Sequence, residues 1–214
     1  MMRWWVHGFK LMRIIAGNFR HRVLISPPTR ITRPITDRAK QSLFDALSVA
    51  VDWSGGLVLD CFSGTGSMGL ECLSRGAARA IFVERDRGAL AGLRKNIQAL
   101  GVVSQSRVLG MDAYRLGRTT DDWLPVESKL RLAFVDPPYA HLDEQRTRFL
   151  LDGLVETIAS QWLAADGLIV LRHATATDIQ NMALARRIVR GLQYGTMAIA
   201  WLKSGVLPAA STGV

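Results

Sequence analysis

The stretch Leu57-Val58-Leu59-Asp60-Cys61-Phe62-Ser63-Gly64-Thr65-Gly66-Ser67-Met68-Gly69 decides the fold class. A short apolar run ends at Asp60, a glycine-rich turn follows, and a helical pattern begins at Ser67. Three of its glycines have the spacing of a turn that brings the backbone close to a nucleotide-containing cofactor. The stretch therefore predicts a β-strand, a cofactor-binding turn and an α-helix in direct succession.

The same alternation of strands and helices continues along the chain. Strands are predicted over 80–83, 106–109, 130–135 and 167–172, and helices over 67–74, 86–100 and 146–162, with a short helix after Asp112. Residues 187–203 alternate in a way that predicts two antiparallel strands. This order predicts an α/β fold with a mainly parallel, doubly wound sheet and helices on both faces.

Acidic residues mark the edge where such a sheet binds ligands. Asp60, Glu84 and Asp136 end three strands, and Asp112 follows the turn after another. Because the carboxyl ends of parallel strands meet at one edge, these four side chains are candidates for ligand binding.

The glycine-rich turn alone fits two cofactors. Glu84 lies 20 residues after Gly64, where a ribose-binding acid is expected in nicotinamide enzymes and in S-adenosylmethionine enzymes. Asp60 favours S-adenosylmethionine, because a carboxylate there suits the ammonium of a methionine group and would repel a pyrophosphate. We therefore predict S-adenosylmethionine as the cofactor, and a nicotinamide-dependent oxidoreductase is the alternative from another class.

The segment Asp136-Pro137-Pro138-Tyr139 follows the fourth strand and suits methyl transfer to an exocyclic base amine. The lone pair of such an amine is delocalised into the ring. The Asp136 carboxylate and the Pro137 carbonyl could accept its two N–H groups and aim the nitrogen at a methyl donor. The prolines fix φ near −65°, and Tyr139 offers a face for base stacking. These four residues are the predicted catalytic segment.

The net charge of +9 is concentrated at one end of the chain. Residues 1–40 hold nine basic side chains and one acid, a net +8, and the remaining residues hold 18 basic and 17 acidic side chains, a net +1. This asymmetry indicates a polyanionic partner, most simply nucleic acid. A non-catalytic RNA-binding module would share this property. The nine are Arg3, Lys10, Arg13, Arg20, Arg22, Arg30, Arg33, Arg38 and Lys40.

The amino-terminal region is predicted to form a basic β-hairpin, 13–16 with 22–25, joined by the turn at Gly17-Asn18. A proline-containing loop follows, and then a helix with Thr36 as its N-cap. The predicted apolar positions of that helix are Ala39, Leu43, Phe44, Leu47 and Ala50. The predicted organisation is a loosely ordered extension (1–11), a basic hairpin and loop (12–35), a catalytic domain (36–205) and a flexible tail (206–214).

Other features of the composition bear on compartment and assembly. Cys61 and Cys72 lie in apolar stretches and are expected to be buried, reduced thiols in a cytoplasmic protein. Two cysteines without a nearby histidine pair do not predict a zinc site, and no metal is expected. No apolar run approaches the length of a membrane helix, so no membrane partner is expected. We expect a monomer.

Five segments carry a resemblance to a known family: 12–17, 32–38 with Leu43-Phe44, 58–69, 73–77 and 136–139. The chain resembles the bacterial 16S ribosomal RNA guanine-N2 methyltransferases of the RsmD type, within the class I S-adenosylmethionine-dependent methyltransferases. The similarity covers roughly residues 12–205. The Asp-Pro-Pro-Tyr motif is shared with adenine-N6 methyltransferases of DNA and RNA, which are the closest rivals.

The resemblance implies a Rossmann-like fold with a seven-stranded sheet, and ribosomal RNA or the small ribosomal subunit as partner. It implies cofactor contacts at Asp60, Gly64, Gly66, Glu84 and Asp112, with Glu84 on the ribose hydroxyls and Asp112 on the adenine amino group. It also implies RNA contacts along the basic region. The candidates are Arg13, Arg20, Arg22, Arg33 and Arg38.

Two departures from the family pattern stand out. His21 occupies a position that is usually glycine, and Cys61-Phe62-Ser63 replaces the commoner Leu-Phe-Ala.

Overall fold

The computed structural model describes residues 12–26, 35–119, 122 and 129–205, and the backbone alone of 5–6 and 9–10. Two short antiparallel pairs precede the main sheet. Their strands are β1 (Trp5–Val6), β2 (Phe9–Lys10), β3 (Met12–Arg13) and β4 (Val23–Leu24). The pair β3–β4 confirms the predicted hairpin, although each strand has only two residues.

In the part of the chain that the structure describes, seven strands form one sheet, and four α-helices flank it. The strands are β5 (Leu57–Cys61), β6 (Arg79–Glu84), β7 (Ser106–Gly110), β8 (Leu130–Val135), β9 (Leu163–Ala174), β10 (Ile188–Tyr194) and β11 (Met197–Leu202). The helices are α1 (Asp37–Ala50), α2 (Ser67–Ser74), α3 (Arg87–Leu100) and α4 (Gln145–Thr157).

The strand order is β10-β11-β9-β8-β5-β6-β7. Strands β5 to β9 are parallel to one another, and β11 is antiparallel to both β9 and β10. The chain runs outward through β6 and β7 and then returns to place β8 beside β5. This reversal opens a crevice at the carboxyl ends of β5 and β8, where doubly wound sheets bind ligands. The predicted fold class is confirmed.

The core lies on both faces of this sheet. Leu57, Leu59 and Cys61 of β5 belong to one buried cluster, which α4 covers, and Val58 belongs to the other, which α1, α2 and α3 cover. Alternate side chains of a strand point to opposite faces, which explains this partition. Among the described residues, both faces of the sheet are therefore covered by apolar side chains, and the carboxyl ends of the strands form the rim considered below.

Helix α1 begins as predicted but buries a different set of residues. The Thr36 hydroxyl accepts a hydrogen bond from the Ala39 N–H at 3.2 Å, which satisfies one orphan donor of the first turn. The predicted apolar positions are buried except Ala50, which is exposed. Lys40 is buried instead, at 1% exposure, because Glu71 lies 2.9 Å from its ammonium.

The β3–β4 hairpin is bound firmly to helices α2 and α3. Glu71 of α2 accepts the N–H groups of Ile15 and Ala16 at 2.8 and 3.0 Å. Asn96 of α3 accepts the Ile25 N–H at 2.8 Å. The hairpin side chains Ile14 and Leu24 belong to the core cluster that α1, α2 and α3 cover. The hairpin is therefore packed as a part of the domain surface.

Two predicted boundaries differ from the structure. The helix predicted over 146–162 is α-helical only to Thr157 and continues as a single π-helical turn, Ile158–Trp162. Strand β9 begins at Leu163, earlier than predicted, because the turn ends directly in the sheet. Residues 27–34 and 206–214 lie outside the described residues, and the predictions for the extension and the tail stay predictions. Among the described helices, none has the length and apolar character needed to cross a membrane.

Candidate active site

Asp136 lies at the end of β8 and is held by an arginine from the next strand. The Arg172 Nε donates to Asp136 Oδ1 at 2.6 Å, and its Nη2 lies 2.5 Å from Oδ2. Burial raises the pKa of Asp136 above its usual value, and the Arg172 charge limits that rise. A carboxylate has about four lone-pair sites. The bidentate pair therefore fixes the group and leaves lone pairs for a substrate donor.

The two prolines after Asp136 stiffen the segment. Pro137 is buried, and Pro138 begins a short 3₁₀ turn, Tyr139–Leu142. The Pro138 carbonyl accepts the His141 N–H at 2.8 Å within that turn. The Pro138 carbonyl is therefore already hydrogen-bonded within the turn.

Asp60 is almost completely enclosed, at 2% exposure. Its Oδ2 accepts the Gly69 N–H of α2 at 2.9 Å. Burial raises the pKa of Asp60 to about 8, and the Asp136 and Glu84 carboxylates add to the rise. A buried acid with this pKa favours a cationic ligand, because such a ligand would stabilise the ionised form.

Glu84 orders the glycine-rich turn. Its Oε2 accepts the Gly64 N–H at 2.8 Å, and its Oε1 accepts the Arg85 and Asp86 N–H groups at 2.8 Å. Gly64 has φ +56° with open space where a Cβ would stand, and Gly66 has φ +85°. Both glycines therefore occupy left-handed conformations that suit glycine. The predicted spacing of 20 residues thus brings Glu84 and Gly64 into direct contact.

Asp112 begins the short 3₁₀ helix Ala113–Arg118 after β7. Its Oδ1 accepts the Tyr114 N–H at 3.1 Å, and its Oδ2 lies 3.5 Å from Arg85 Nη1. The Tyr114 hydroxyl lies 2.9 Å from His141 Nδ1, and the Phe62 ring packs edge-on against Tyr114. This small aromatic cluster joins the turns after β5, β7 and β8.

Phe62 has φ +58°, a left-handed conformation that costs a non-glycine residue energy. The next residue, Ser63, has a buried hydroxyl without a hydrogen-bond partner among the described residues. Strained backbone and an unsatisfied polar atom cluster at ligand sites. Both features lie in the glycine-rich turn.

A cavity of about 500 Å³ adjoins the catalytic segment. The start of α1 forms one wall, Tyr139 forms another, and the β10–β11 turn closes the third. Its residues are Ile35, Thr36, Arg38, Ala39, Ser42, Tyr139, Tyr194, Gly195, Thr196 and Met197.

The predicted RNA-contacting arginines differ in their surroundings. Arg20, Arg22 and Arg38 are exposed. The Arg22 Nη2 also donates to the Ala99 carbonyl at 2.7 Å, near the end of α3. Arg13 lies 2.8 Å from the Asp37 carboxylate. Arg33 lies outside the described residues.

The position of Lys40 differs from the prediction that all nine basic side chains of residues 1–40 are available to a polyanion. We counted it among the basic side chains available to a polyanion, but it is buried against Glu71 and Ser67. Burial lowers the pKa of Lys40, and the Glu71 carboxylate opposes that effect. Because Lys40 lies on the buried face of α1, its charge is not available to a polyanionic partner.

Arg172 was not predicted from the sequence, and of the residues that line the cavity only Arg38 and Tyr139 were among the predicted site residues. A signal existed for Arg172, since it ends a predicted strand at the same rim as Asp136. No local signal identified Tyr194 or Ser42, because only the packing of α1 on the β10–β11 hairpin brings them to the catalytic segment.

Comparison with known proteins places the chain in a family. Residues 12–203 match the family model described as Conserved hypothetical protein 95. The chain belongs to this family. Its relatives include the ribosomal RNA small subunit methyltransferase D of Escherichia coli (strain K12), which is 34% identical over 86% of this chain and 87% of that protein.

Two further comparisons agree with this assignment. The protein YlbH of Bacillus subtilis (strain 168) is 33% identical over 90% of this chain and 98% of its own length. The solved structure of Escherichia coli yhhF superimposes with a TM-score of 0.71 at 29% identity, covering 90% of this chain and 98% of that one. The protein is thus a methyltransferase of the RsmD type with the class I fold, as the sequence predicted.

Proposed function

We propose that this methyltransferase transfers a methyl group from S-adenosylmethionine to the N2 amino group of a guanine in small-subunit ribosomal RNA. The observation that supports this proposal most directly is the position of Asp136. Arg172 holds its carboxylate at the end of β8, and β8 pairs with β5, the strand that contains Asp60. The names of the relatives support the RNA substrate.

The residues of the glycine-rich turn and the rim fit S-adenosylmethionine. Asp60 suits the ammonium group of the cofactor. The Asp60 carboxyl is buried and is repelled by the Asp136 and Glu84 carboxylates, and a cation would relieve this repulsion. Glu84 suits the ribose hydroxyls and Asp112 the adenine amino group, while the open space at Gly64 admits a close approach. The cofactor, when bound, supplies an electrophilic sulfonium methyl group.

Asp136 and the Pro137 carbonyl accept the two N–H groups of the target amine. That arrangement pyramidalises the nitrogen and aims its lone pair at the methyl group. Asp136 need not be a strong base, since the product ammonium loses its proton readily. Alignment supplies most of the rate, up to roughly 7–11 kcal/mol in favourable cases, and the fixed charges contribute the rest.

The RNA is held by the exposed arginines of the hairpin and of α1. Arg20, Arg22 and Arg38 are exposed on the described surface, and Arg33 is assigned by resemblance. Arg13 is a weaker candidate because it is paired with Asp37. Phosphate contacts of this kind position the RNA without reading its sequence.

The test measures transfer of tritiated methyl groups to small ribosomal subunits, naked 16S ribosomal RNA and DNA, followed by nucleoside analysis. We expect label in N2-methylguanosine from ribosomal RNA. Label in N6-methyladenine would favour the rival function, and label in DNA alone would overturn the proposal.

Asp136→Ala should lower transfer by about a hundredfold or more, with S-adenosylhomocysteine affinity largely retained. The matched control is Asp166→Ala, because Asp166 is an exposed aspartate that also pairs with an arginine, Arg131, but lies in the first half of β9. Full activity in Asp136→Ala would refute the mechanism.

A further inference from the structure

We propose that the exposed face of α3 is a second RNA-contacting surface, which continues the basic surface of the β3–β4 hairpin and binds the phosphate backbone of the RNA outside the target nucleotide. The inference rests on the proposed function and extends the RNA interface to a helix that carries none of the RNA-contacting residues assigned above. The basic residues of this face are Arg87, Arg94 and Lys95.

Helix α3 has an unbalanced positive charge on its exposed side. It contains three basic side chains and no acid in 14 residues. Among the described residues, no acid forms an ion pair with any of the three. The exposed positions recur at the spacing of one helical face and are Arg87, Ala91, Arg94, Lys95 and Gln98. The net charge of only +1 after residue 40 therefore conceals a local excess.

The β3–β4 hairpin lies directly against α3. The buried Asn96 accepts the Ile25 N–H at 2.8 Å and donates to the Ile25 carbonyl at 3.2 Å. Near the end of the helix, the Arg22 Nη2 donates to the Ala99 carbonyl at 2.7 Å, where the helix dipole favours a cation. Lys95 precedes Asn96 and lies one turn before Ala99, so it borders the hairpin. The hairpin arginines and the α3 cations therefore form one continuous basic surface.

This surface leads away from the catalytic rim. Helix α3 begins at Arg87, three residues after Glu84 ends β6 at the rim. A helix of this length spans about 21 Å, and Arg94 lies two turns, about 10 Å, beyond Arg87. Arg22 is held at the far end of the helix. An RNA whose target amine lies beside Asp136 can therefore follow the cations from the rim to the hairpin.

The chemistry of this face suits phosphates rather than bases. Its cations are exposed, and the positions between them, Ala91 and Gln98, offer no aromatic ring for stacking. Contacts of this type fix the orientation of a nucleic acid without reading its sequence. Each phosphate that a cation neutralises releases counterions, which makes the affinity dependent on salt. The α3 face is therefore expected to contribute to RNA affinity and not to the rate of methyl transfer from the bound state.

The first experiment removes two charges of α3 from the full chain, as Arg94→Ala with Lys95→Ala. The dissociation constant is measured by filter binding at several salt concentrations, with a small-subunit ribosomal RNA fragment that the wild-type protein methylates. We expect affinity at 50 mM salt to fall roughly tenfold, and the slope of log Kd against log salt to decrease by about 1.4–1.8 for two lost contacts.

The matched control also removes two neighbouring positive charges, as Arg186→Ala with Lys203→Ala. Both residues are exposed, and they lie at the other edge of the sheet, where the Lys203 N–H donates to the Arg187 carbonyl at 3.1 Å. This variant should keep the wild-type affinity within about twofold and the wild-type salt slope.

A second experiment reverses the charge of the face without removing any side chain from it. Ala91 lies four residues after Arg87 and four before Lys95, so Ala91→Glu adds an (i, i+4) pair with Lys95 and does not weaken the helix. Ala91→Glu should weaken RNA binding, whereas the isosteric Ala91→Gln should not. In all these variants kcat at saturating RNA and S-adenosylhomocysteine affinity should equal those of the wild type, which confirms folding.

The outcomes distinguish this inference from the function on which it rests. If the wild-type protein methylates RNA while the α3 double variant matches the control pair in affinity and salt slope, the α3 surface is wrong and the function stands. If the wild-type protein neither binds nor methylates RNA, both are overturned. If affinity and salt slope fall only in the α3 double variant, and Ala91→Glu binds more weakly than Ala91→Gln, the α3 surface is supported.

Discussion

Arg172 illustrates how a single residue can set the state of a carboxylate, here that of Asp136, the proposed catalytic acid. Its guanidinium occupies one lone pair on each oxygen of Asp136 and supplies a charge that burial would otherwise leave unbalanced. The residue is not expected to touch the substrate. It is a positioning residue, because it fixes the orientation of the carboxylate and limits the rise of its pKa that burial causes.

Replacement of Arg172 should alter the pH dependence of the reaction. In Arg172→Gln the cation that lowers the Asp136 pKa is lost, so that pKa rises and a higher pH is needed to ionise the group. We expect the acid limb of the kcat–pH profile to move to higher pH and kcat at neutral pH to fall roughly tenfold or more.

Arg172→Lys should restore part of both effects, because it keeps a positive charge but not the bidentate geometry. Arg131→Gln is the control, since it breaks a surface ion pair with Asp166. An unmoved acid limb in Arg172→Gln would show that Arg172 is only structural.

A second residue explains a departure from the family pattern. His21 has φ +68°, in the left-handed region that glycine adopts at little cost. The resemblance implies glycine at this position, and the left-handed backbone geometry is consistent with that preference. His21 adopts this conformation in the turn between β3 and β4, where its side chain is exposed.

At the scale of elements, the hairpin and α2 form one unit around Gly17. Gly17 has φ +81°, and a Cβ there would stand 1.8 Å from the Ser74 carbonyl oxygen. The Asn18 N–H donates to the same oxygen at 2.8 Å. Close approach of the two backbones therefore requires glycine.

We predict that Gly17→Ala lowers the free energy of unfolding by more than the roughly 1–2 kcal/mol expected for a left-handed alanine alone. Urea denaturation gives the measurement. Gly101→Ala is the control, because Gly101 has φ +72° but open space around it.

The difference between the two variants isolates the clash with Ser74. RNA affinity should fall in Gly17→Ala, since the clash displaces the arginines of the hairpin. Equal losses of stability in the two variants would contradict the tight docking of hairpin on α2.

At the scale of the whole molecule, carboxylates from different strands interact electrostatically at the carboxyl rim of the sheet. Asp60, Glu84 and Asp136 come from three strands, and their mutual repulsion adds to the burial that raises the Asp60 pKa to about 8. The usual value is 3.8, so between about pH 4 and 8 the folded protein binds more protons here than the unfolded chain. The Asp60 contribution to stability therefore falls as the pH rises through this window.

Binding of the cofactor should reverse that protonation. An ammonium beside Asp60 favours the carboxylate, so wild-type protein should release protons when it binds S-adenosylhomocysteine at pH 7, and its affinity should rise between pH 6 and 8. Calorimetry in two buffers with different ionisation enthalpies measures the proton release. Asp60→Asn should bind more weakly and lose the linkage, and a wild-type protein that releases no proton would refute the assignment of Asp60.

Local sequence patterns were sufficient to predict most of the helices and strands. The caps at Thr36 and Gly101 and the bounds of α2 and β8 agree with prediction, because capping and strand patterning act over a few residues. The end of α4 was missed, since a π-helical turn replaces its last residues without any proline or glycine signal.

The sequence by itself determined the order of strands and helices, the glycine-rich turn and the acidic residues that follow the strands. Each of these depends on neighbours within one or two turns of chain. Only the tertiary structure decided that Arg172 grips Asp136, that Lys40 is withdrawn from the basic surface, and that Tyr194 faces the catalytic segment. These contacts join residues that are distant in the chain, and they exist because strand order and helix packing bring separate elements to one rim.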